Sequence, residues 1–314
     1  MKLVINIPCY NEEKTLPAVL AEIPKKIPGI KTIEVQIVDD GSSDDTAKIA
    51  SKFGCKVLVH KRNLGLGRAF KTGMEEALSS GADIFVNTDA DNQYPSSCIP
   101  ELIAPILADT SDIVIGNRVP WKVNYFSPLK KILQWFGNLI VRTLIGTDVP
   151  DTISGFRAYS RESLLRLNVT TKFSYVLDTM VQAIRMDLTV SSILIRTNPP
   201  TRESRLFKNM FQHIWKSGLS LIRLLVIHRP FHFFSFFSTL TFLPGVLIAF
   251  RFLIFYFNGE GKGHIQSLLF AVILIVLSGL FLISGVLAFL TGMNRKILEE
   301  ILYHEKKMEF EKKR

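Results

Sequence analysis

Over the first two hundred residues, short apolar runs alternate with longer stretches in which apolar positions recur every three or four residues. The short runs predict strands over residues 3–7, 33–38, 56–59, 83–87 and 112–115. The longer stretches predict helices over 12–22, 44–53, 67–78 and 97–107. Because the strands are almost continuously apolar, they fit a parallel sheet covered on both faces. Alternating strand and helix then implies an open α/β sheet, which binds ligands beyond the carboxyl ends of its strands.

The pattern changes near residue 230. Residues 231–257 are apolar apart from one full charge, Arg251, and residues 265–293 carry no charge at all. About twenty apolar residues suffice to cross a bilayer as a helix, so both runs qualify as spans. Arg251 lies towards the far end of the first run, where its side chain can reach the interface. Two buried core helices are the competing explanation, but so short a chain leaves little protein to cover them.

Charge refines this picture. The chain of 314 residues has a net charge of +10 and 47% hydrophobic residues, a basic and greasy combination that suits a membrane surface and excludes a disordered chain. The connection between the spans holds one basic residue, Lys262, whereas the tail holds Arg295, Lys296, Lys306, Lys307, Lys312, Lys313 and Arg314. The positive-inside rule therefore predicts that both flanks face the cytoplasm. Residues 202–229 carry six Lys and Arg against Glu203 alone, with Phe207, Phe211, Ile214, Trp215, Ile222 and Leu225 at helical spacing. That is the pattern of a helix lying among lipid headgroups. The expected organisation is a cytoplasmic domain over 1–200, an interfacial segment over 201–230, a two-helix membrane hairpin over 231–293 and a basic cytoplasmic tail over 294–314. The N-terminus reaches polar residues too early for a signal peptide. The basic residues cluster beside a span and not on an aromatic platform, so no nucleic-acid partner is expected.

Polar clusters follow the strands where an α/β site belongs. They are Pro8-Cys9-Tyr10-Asn11-Glu12, Asp39-Asp40-Gly41-Ser42-Ser43-Asp44, Asp89-Ala90-Asp91-Asn92-Gln93 and Gly116-Asn117-Arg118. One such cluster is an ordinary capped turn; four at corresponding strand ends predict a shared site. In extended backbone Asp89 and Asp91 point the same way, and with the Gln93 amide they offer hard oxygen ligands suited to Mg²⁺ or Mn²⁺ shared with a diphosphate. Arg118, and Arg157 further on, are candidate partners for the phosphates, and Asp39 can accept from a base or ribose. Residues 63–68 lack both the dinucleotide fingerprint and the P-loop lysine. Three scattered cysteines suggest neither a disulfide framework nor zinc, and Cys9 has no histidine partner that would make it a nucleophile.

In order, P-C-Y-N-E, V-D-D-G-S-S-D, D-A-D-N-Q, G-N-R and S-G-F-R resemble the polyprenyl-phosphate glycosyltransferases, inverting members of the family-two glycosyltransferases that include dolichyl-phosphate mannose synthase. The resemblance covers about residues 1–230, and paired C-terminal spans recur in several members. It implies a GT-A-like open, mostly parallel sheet with helices on both faces, and a nucleotide held by Pro8, Tyr10, Glu12 and Asp39. It further implies a divalent ion on Asp89, Asp91 and Gln93, Arg118 near the donor diphosphate and acceptor, and Asp151 orienting the sugar or acting as a base. Arg202, Ser204 and Arg205 are the nearest match to the basic pair with serine that receives the lipid phosphate. The implied partners are a GDP- or UDP-linked sugar, a dolichyl or undecaprenyl phosphate and a membrane, either the cell membrane or the endoplasmic reticulum. Relatives often self-associate, so a homo-oligomer is an expectation too.

A polyprenyl phosphate is already anionic and needs no strong base; the protein must hold two anions in line while charge gathers on the departing diphosphate. Two other readings share parts of the pattern. A processive polysaccharide synthase resembles others of its kind in a Q-x-x-R-W motif, but here Gln182 and Arg185 are followed by Met186. A non-catalytic nucleotide-sugar-binding membrane accessory would be expected to have lost its metal ligands or acceptor arginine.

Overall fold

A computed structural model describes residues 1–118, 135, 137–139, 141–143, 146–169, 175–198, 218–219, 222, 226 and 229–312. They fall into two units, Met1–Ser204 with Glu300–Arg314, and Arg205–Glu299. Arg202, Ser204, Arg205 and most of the proposed interfacial segment lie outside the described residues.

The first unit is built on seven strands: β1 (Lys2–Cys9), β2 (Thr32–Asp39), β3 (Lys56–Val59), β4 (Ile84–Asn87), β5 (Ile113–Asn117), β6 (Arg157–Ser160) and β7 (Val190–Leu194). Their order is β3-β2-β1-β4-β6-β5-β7. All neighbouring pairs are parallel except those that β6 makes with β4 and β5. The sheet is thus open and mostly parallel, as expected. The sequence pattern did not predict β6 or β7: β6 is four residues long and begins on an arginine, and β7 is interrupted by two serines.

The antiparallel β6 matters for the site. Arg157 pairs with Asn87 of β4 and with Ile115 of β5. Residues 151–156, which lead into β6, therefore enter the sheet at the edge where β1, β2, β4 and β5 end.

Side chains alternate faithfully across the sheet. Leu3, Ile5, Ile7, Ile37, Ile84, Val86, Val114 and Ala158 face one way, into a core shared with α1 (Leu16–Glu22), α2 (Thr46–Lys52) and α4 (Ile99–Leu107). Val4, Phe85, Ile113, Ile115 and Tyr159 face the other way, onto α3 (Leu66–Ser79), α5 (Arg161–Arg166) and α6 (Tyr175–Arg185). The α1 helix starts later than the 12–22 pattern suggests, because Pro17 sets its first turn and Glu12 is engaged in a loop.

Within the α3 face runs a fully buried polar line. Gln36 donates to Asn6 Oδ1 at 2.9 Å and to the Gly73 carbonyl, and Asn6 donates to Asn87 Oδ1 at 2.8 Å. Gly73 permits this approach, since a Cβ there would sit 2.0 Å from Asn6 Oδ1.

The apolar runs form α7 (Pro230–Phe257) and α8 (Ile265–Glu311), separated by a glycine turn at Gly259. Within the second unit they pack antiparallel. Ser238 and Ser278 share a 3.0 Å hydrogen bond, Phe237 lies 5.7 Å from Phe281, and Gly285 faces Phe234. Both helices are long and apolar enough to cross a membrane, and their most apolar windows are only 6% and 17% buried. Core helices of a soluble domain would be mostly covered, so that explanation fails here.

From Glu300 onward α8 groups with the first unit. Tyr303 and Phe310 join the α3-side core. Arg161 donates to the Phe310 carbonyl and, at the end of α3, to those of Leu78 and Ala82. Lys306 donates to the Leu167 carbonyl at 2.7 Å, beside the end of α5, and Arg166 lies over the Tyr303 ring at 4.4 Å. Cations thus cap three helix ends, where the backbone leaves carbonyls unpaired.

Candidate active site

The loops after β1 and β2 are laced together. Asn11, at φ 56°, donates its backbone amide to Ser42 Oγ at 2.9 Å and accepts on Oδ1 from Ser43 N at 2.8 Å. Glu12 N donates to Thr46 Oγ1, and Asp39 Oδ1 accepts from Ser42 N at 3.0 Å. Pro8, Glu12 and Asp39 are buried in this seam, whereas Tyr10 is exposed at its mouth. Glu12 also accepts from Thr15 Oγ1 at 2.8 Å, which ties it into its own loop.

The neighbouring Asp40 has a role that the sequence did not single out. Its carboxylate accepts from Leu64 N and Gly65 N at 2.9 and 2.8 Å and meets His60 Nδ1 at 2.6 Å. It therefore fixes the 62–65 loop against the β2 end. Its appearance beside Asp39 in a strand-end cluster was the available signal.

The expectation that extended backbone aligns Asp89 and Asp91 needs correction. β4 ends at Asn87, and Asp91 sits in a turn where its Oδ1 accepts from Gln93 N at 3.1 Å and Asn92 takes a φ of 58°. Asn198 clamps the turn, donating to the Gln93 and Asn92 carbonyls, each at 3.0 Å. A turn, not strand alternation, presents the two carboxylates. Both are half-buried, and the buried Asn92 Oδ1 beside them has no hydrogen-bond partner. This oxygen-rich set fits a hard divalent ion. Among the described residues no three His, Cys, Asp or Glu side chains gather as a cluster.

Arg118, just past β5, is paired with Asp151. Nε donates to Oδ2 at 2.7 Å and Nη2 to Oδ1 at 2.9 Å, a bidentate fork, while Nη1 reaches the Tyr94 hydroxyl at 3.4 Å. Asp151 is fully buried. Burial works against the Arg118 charge, but Asp151, by charge and hydrogen bonds, and Asp89 more than offset it and hold the guanidinium protonated beyond its ordinary range. Tyr94 stacks on Phe156, and burial, with help from Asp89 and Asp151, pushes its hydroxyl up to about 12. It stays a neutral hydroxyl at any physiological pH and accepts from Arg118. The structure thus brings Asp89, Tyr94, Arg118 and Asp151 into one electrostatic neighbourhood.

Arg157 does not join them. It is fully buried and donates to the carbonyls of Thr152, Ser154 and Val176 and to Thr179 Oγ1. It cannot serve a phosphate as the sequence suggested; it pins the 152–156 segment to α6. Cys9 is buried, and burial with nearby Glu12 and Asp39 drives its thiol well above the ordinary value, so it is a packed side chain. Gln182 exchanges hydrogen bonds with the Asn168 backbone at 2.8 and 2.9 Å, a structural task that leaves nothing to grip a polymer.

Residues 4–167 match the family described as glycosyl transferase family 2. The undecaprenyl-phosphate mannosyltransferase of Micrococcus luteus is 31% identical over 176 residues, 54% of this chain and 70% of that protein. The UDP-N-acetylglucosamine–dolichyl-phosphate N-acetylglucosaminyltransferase of Methanococcus voltae is 30% identical over 213 residues, 61% of this chain and 83% of that protein. Among solved structures, glucosyl-3-phosphoglycerate synthase from Mycobacterium tuberculosis, in complex with Mn²⁺, UDP and glucosyl-3-phosphoglycerate, superposes with a TM-score of 0.54. That match is 20% identical and covers 72% of this chain and 78% of the other. It bears on the fold alone.

Proposed function

The chain belongs to glycosyl transferase family 2, and on that premise we propose that it moves a hexosyl group from a GDP-mannose- or UDP-glucose-type donor to a polyprenyl phosphate, on the cytoplasmic leaflet and with inversion at the anomeric carbon. It is a glycosyltransferase whose relatives include prenyl-phosphate sugar transferases. The observation that carries the finer reading is the grouping of Asp89, Arg118 and Asp151 at the carboxyl edge of the sheet, in a chain whose last third is lipid-compatible.

Asp151 pairs with Arg118, and Asp89 adds its negative charge to the surroundings of that guanidinium. Asp89, Asp91 and Gln93 would hold Mg²⁺ or Mn²⁺, which when bound stabilises the charge that gathers on the departing diphosphate. Pro8, Tyr10, Glu12 and Asp39 would frame the nucleoside in the seam between the β1 and β2 loops. Arg118, held by Asp151 and Tyr94, presents a fixed positive edge to the same phosphates and costs no reorganisation when charge develops.

The acceptor phosphate oxygen forms its bond to C1 as the bond from C1 to the diphosphate breaks, and the nucleoside diphosphate leaves with the electron pair. In-line displacement inverts C1. No proton need be removed, since the acceptor is already anionic, and Asp151, both of whose oxygens hold Arg118, is a positioning group here and not a base. Arg202, Ser204 and Arg205 are assigned to the lipid phosphate from sequence. Arg205→Ala is therefore expected to weaken use of the acceptor more than binding of the donor.

The test is a panel of labelled nucleotide sugars offered to the purified protein with a short polyprenyl phosphate. A lipid-extractable product from one donor, of opposite anomeric configuration, supports the proposal. Label found only in water-soluble polymer, or no transfer from any donor, overturns it.

A further inference from the structure

Asn87 ends β4 two residues before Asp89 and is fully buried. Its side-chain amide donates to the Tyr175 hydroxyl at 2.7 Å, and Tyr175 in turn donates to the Gly155 carbonyl at 3.0 Å. Asn87 also reaches that carbonyl itself at 3.4 Å. Behind them the line continues through Asn6 and Gln36 to the carbonyl of Gly73 in α3. The Tyr175 ring stacks flat on Phe70 of α3, with centroids 4.0 Å apart and planes 2° from parallel. The hydroxyl is thus aimed by a rigid aromatic stack and a buried amide, with little freedom left to it.

What the hydroxyl aims is the Gly155 peptide, and that peptide lies against Asp89. A Cβ on Gly155 would sit 3.1 Å from Asp89 Oδ2 and 3.3 Å from the Tyr175 hydroxyl, so the carboxylate and the phenol both lie close about Gly155. From its far side Arg157 holds the carbonyls of Thr152 and Ser154 and that of Val176, next to Tyr175. Gly155 is therefore fixed from both flanks by groups with no access to solvent.

Resting on the reading of Asp89 as part of a metal and diphosphate site, we propose that Tyr175 is a positioning residue: through the Gly155 peptide it holds the Asp89 carboxylate in the orientation that a divalent ion and diphosphate require. Outer-sphere groups of this kind set ligand direction without touching the ion, and their loss weakens metal binding by about 10- to 100-fold. Tyr175 lies 86 positions beyond Asp89 and in no polar cluster, so sequence spacing gives no hint of the connection.

The experiment measures Mn²⁺ binding to the full-length protein in the presence of GDP or UDP, by electron paramagnetic resonance titration. The variants are Tyr175→Phe, Gly155→Ala and Tyr159→Phe. Tyr175→Phe keeps the stack on Phe70 and removes only the hydroxyl. Tyr159→Phe removes a hydroxyl from the same aromatic cluster, 5.7 Å from Phe70, and serves as the control for general softening. Tyr175→Phe and Gly155→Ala should each weaken Mn²⁺ binding by about tenfold, with Tyr159→Phe within about twofold of wild type. Wild-type affinity in Tyr175→Phe, or equal losses in Tyr175→Phe and Tyr159→Phe, would overturn the positioning role alone. Failure of the wild type to bind Mn²⁺ with either nucleotide would overturn the metal site itself.

Discussion

Arg118 and Asp151 grip each other through two nearly parallel hydrogen bonds, at 2.7 and 2.9 Å, with Asp151 withdrawn completely from solvent. Such a pair is stable only while both members are present, because either one alone is a buried, uncompensated charge. Asp151→Leu is expected to cost about 3–5 kcal/mol in urea unfolding, and Arg118→Met with Asp151→Leu together far less than the two singles summed. Both singles and the double should lose transfer. Additive single effects in the double-mutant cycle would show that the two residues act separately.

The ion proposed on Asp89, Asp91 and Gln93 makes transfer dependent on a divalent cation. Chelation should abolish transfer and added Mn²⁺ or Mg²⁺ restore it, while Asp91→Ala should lower the rate by about 10³-fold even with saturating metal. Full activity in Asp91→Ala would remove that aspartate from the site.

Arg157 holds four oxygen acceptors, three of them backbone carbonyls. Lysine has the charge but not the planar fork, so Arg157→Lys should behave as a severe substitution, with a loss of about 3 kcal/mol and a looser 152–156 segment seen by hydrogen exchange. Unchanged protection there would argue against the pinning role.

The end of α8 makes a prediction about pH. Tyr303 and Phe310 belong to the core of the first unit, and replacing either with alanine should cost about 3 kcal/mol. Burial pushes Lys306 down from 10.5 to about 8; Glu75 raises it and Lys71 lowers it further. The folded state thus releases this proton more readily than the unfolded chain does. The stabilisation is complete above about 10.5 and is lost as pH falls through about 8. Urea midpoints should therefore rise from pH 7 to pH 10, and Lys306→Met should remove that portion of the slope. An identical slope in the variant would contradict the assignment.

The strands and helices of the first 120 residues were legible because each apolar run faces a covered sheet and each helix has one buried stripe. β6 was not, because a buried arginine opens it and its burial depends on carbonyls from distant turns. The same reason hid the true setting of Arg157, which looks like a phosphate ligand until its partners are known. Asp89, Asp91 and Arg118 stood out because they are charged and follow strand ends, whereas Asp151 came only with the resemblance around S-G-F-R. Tyr175 and Asp40 depend on contacts across the fold, which spacing along the chain does not reveal. The apolar runs announced α7 and α8, but the return of Tyr303 and Phe310 to the first unit's core was disguised by the basic residues around them.

Anomalous scattering from Mn²⁺ in crystals grown with GDP or UDP locates the ion outright. One peak is expected in contact with the Asp91 carboxylate and the diphosphate, on the Arg118 side of the β4 turn. A nucleotide bound without that peak, or a peak held by other residues, would rule out the metal site proposed for the β4 turn.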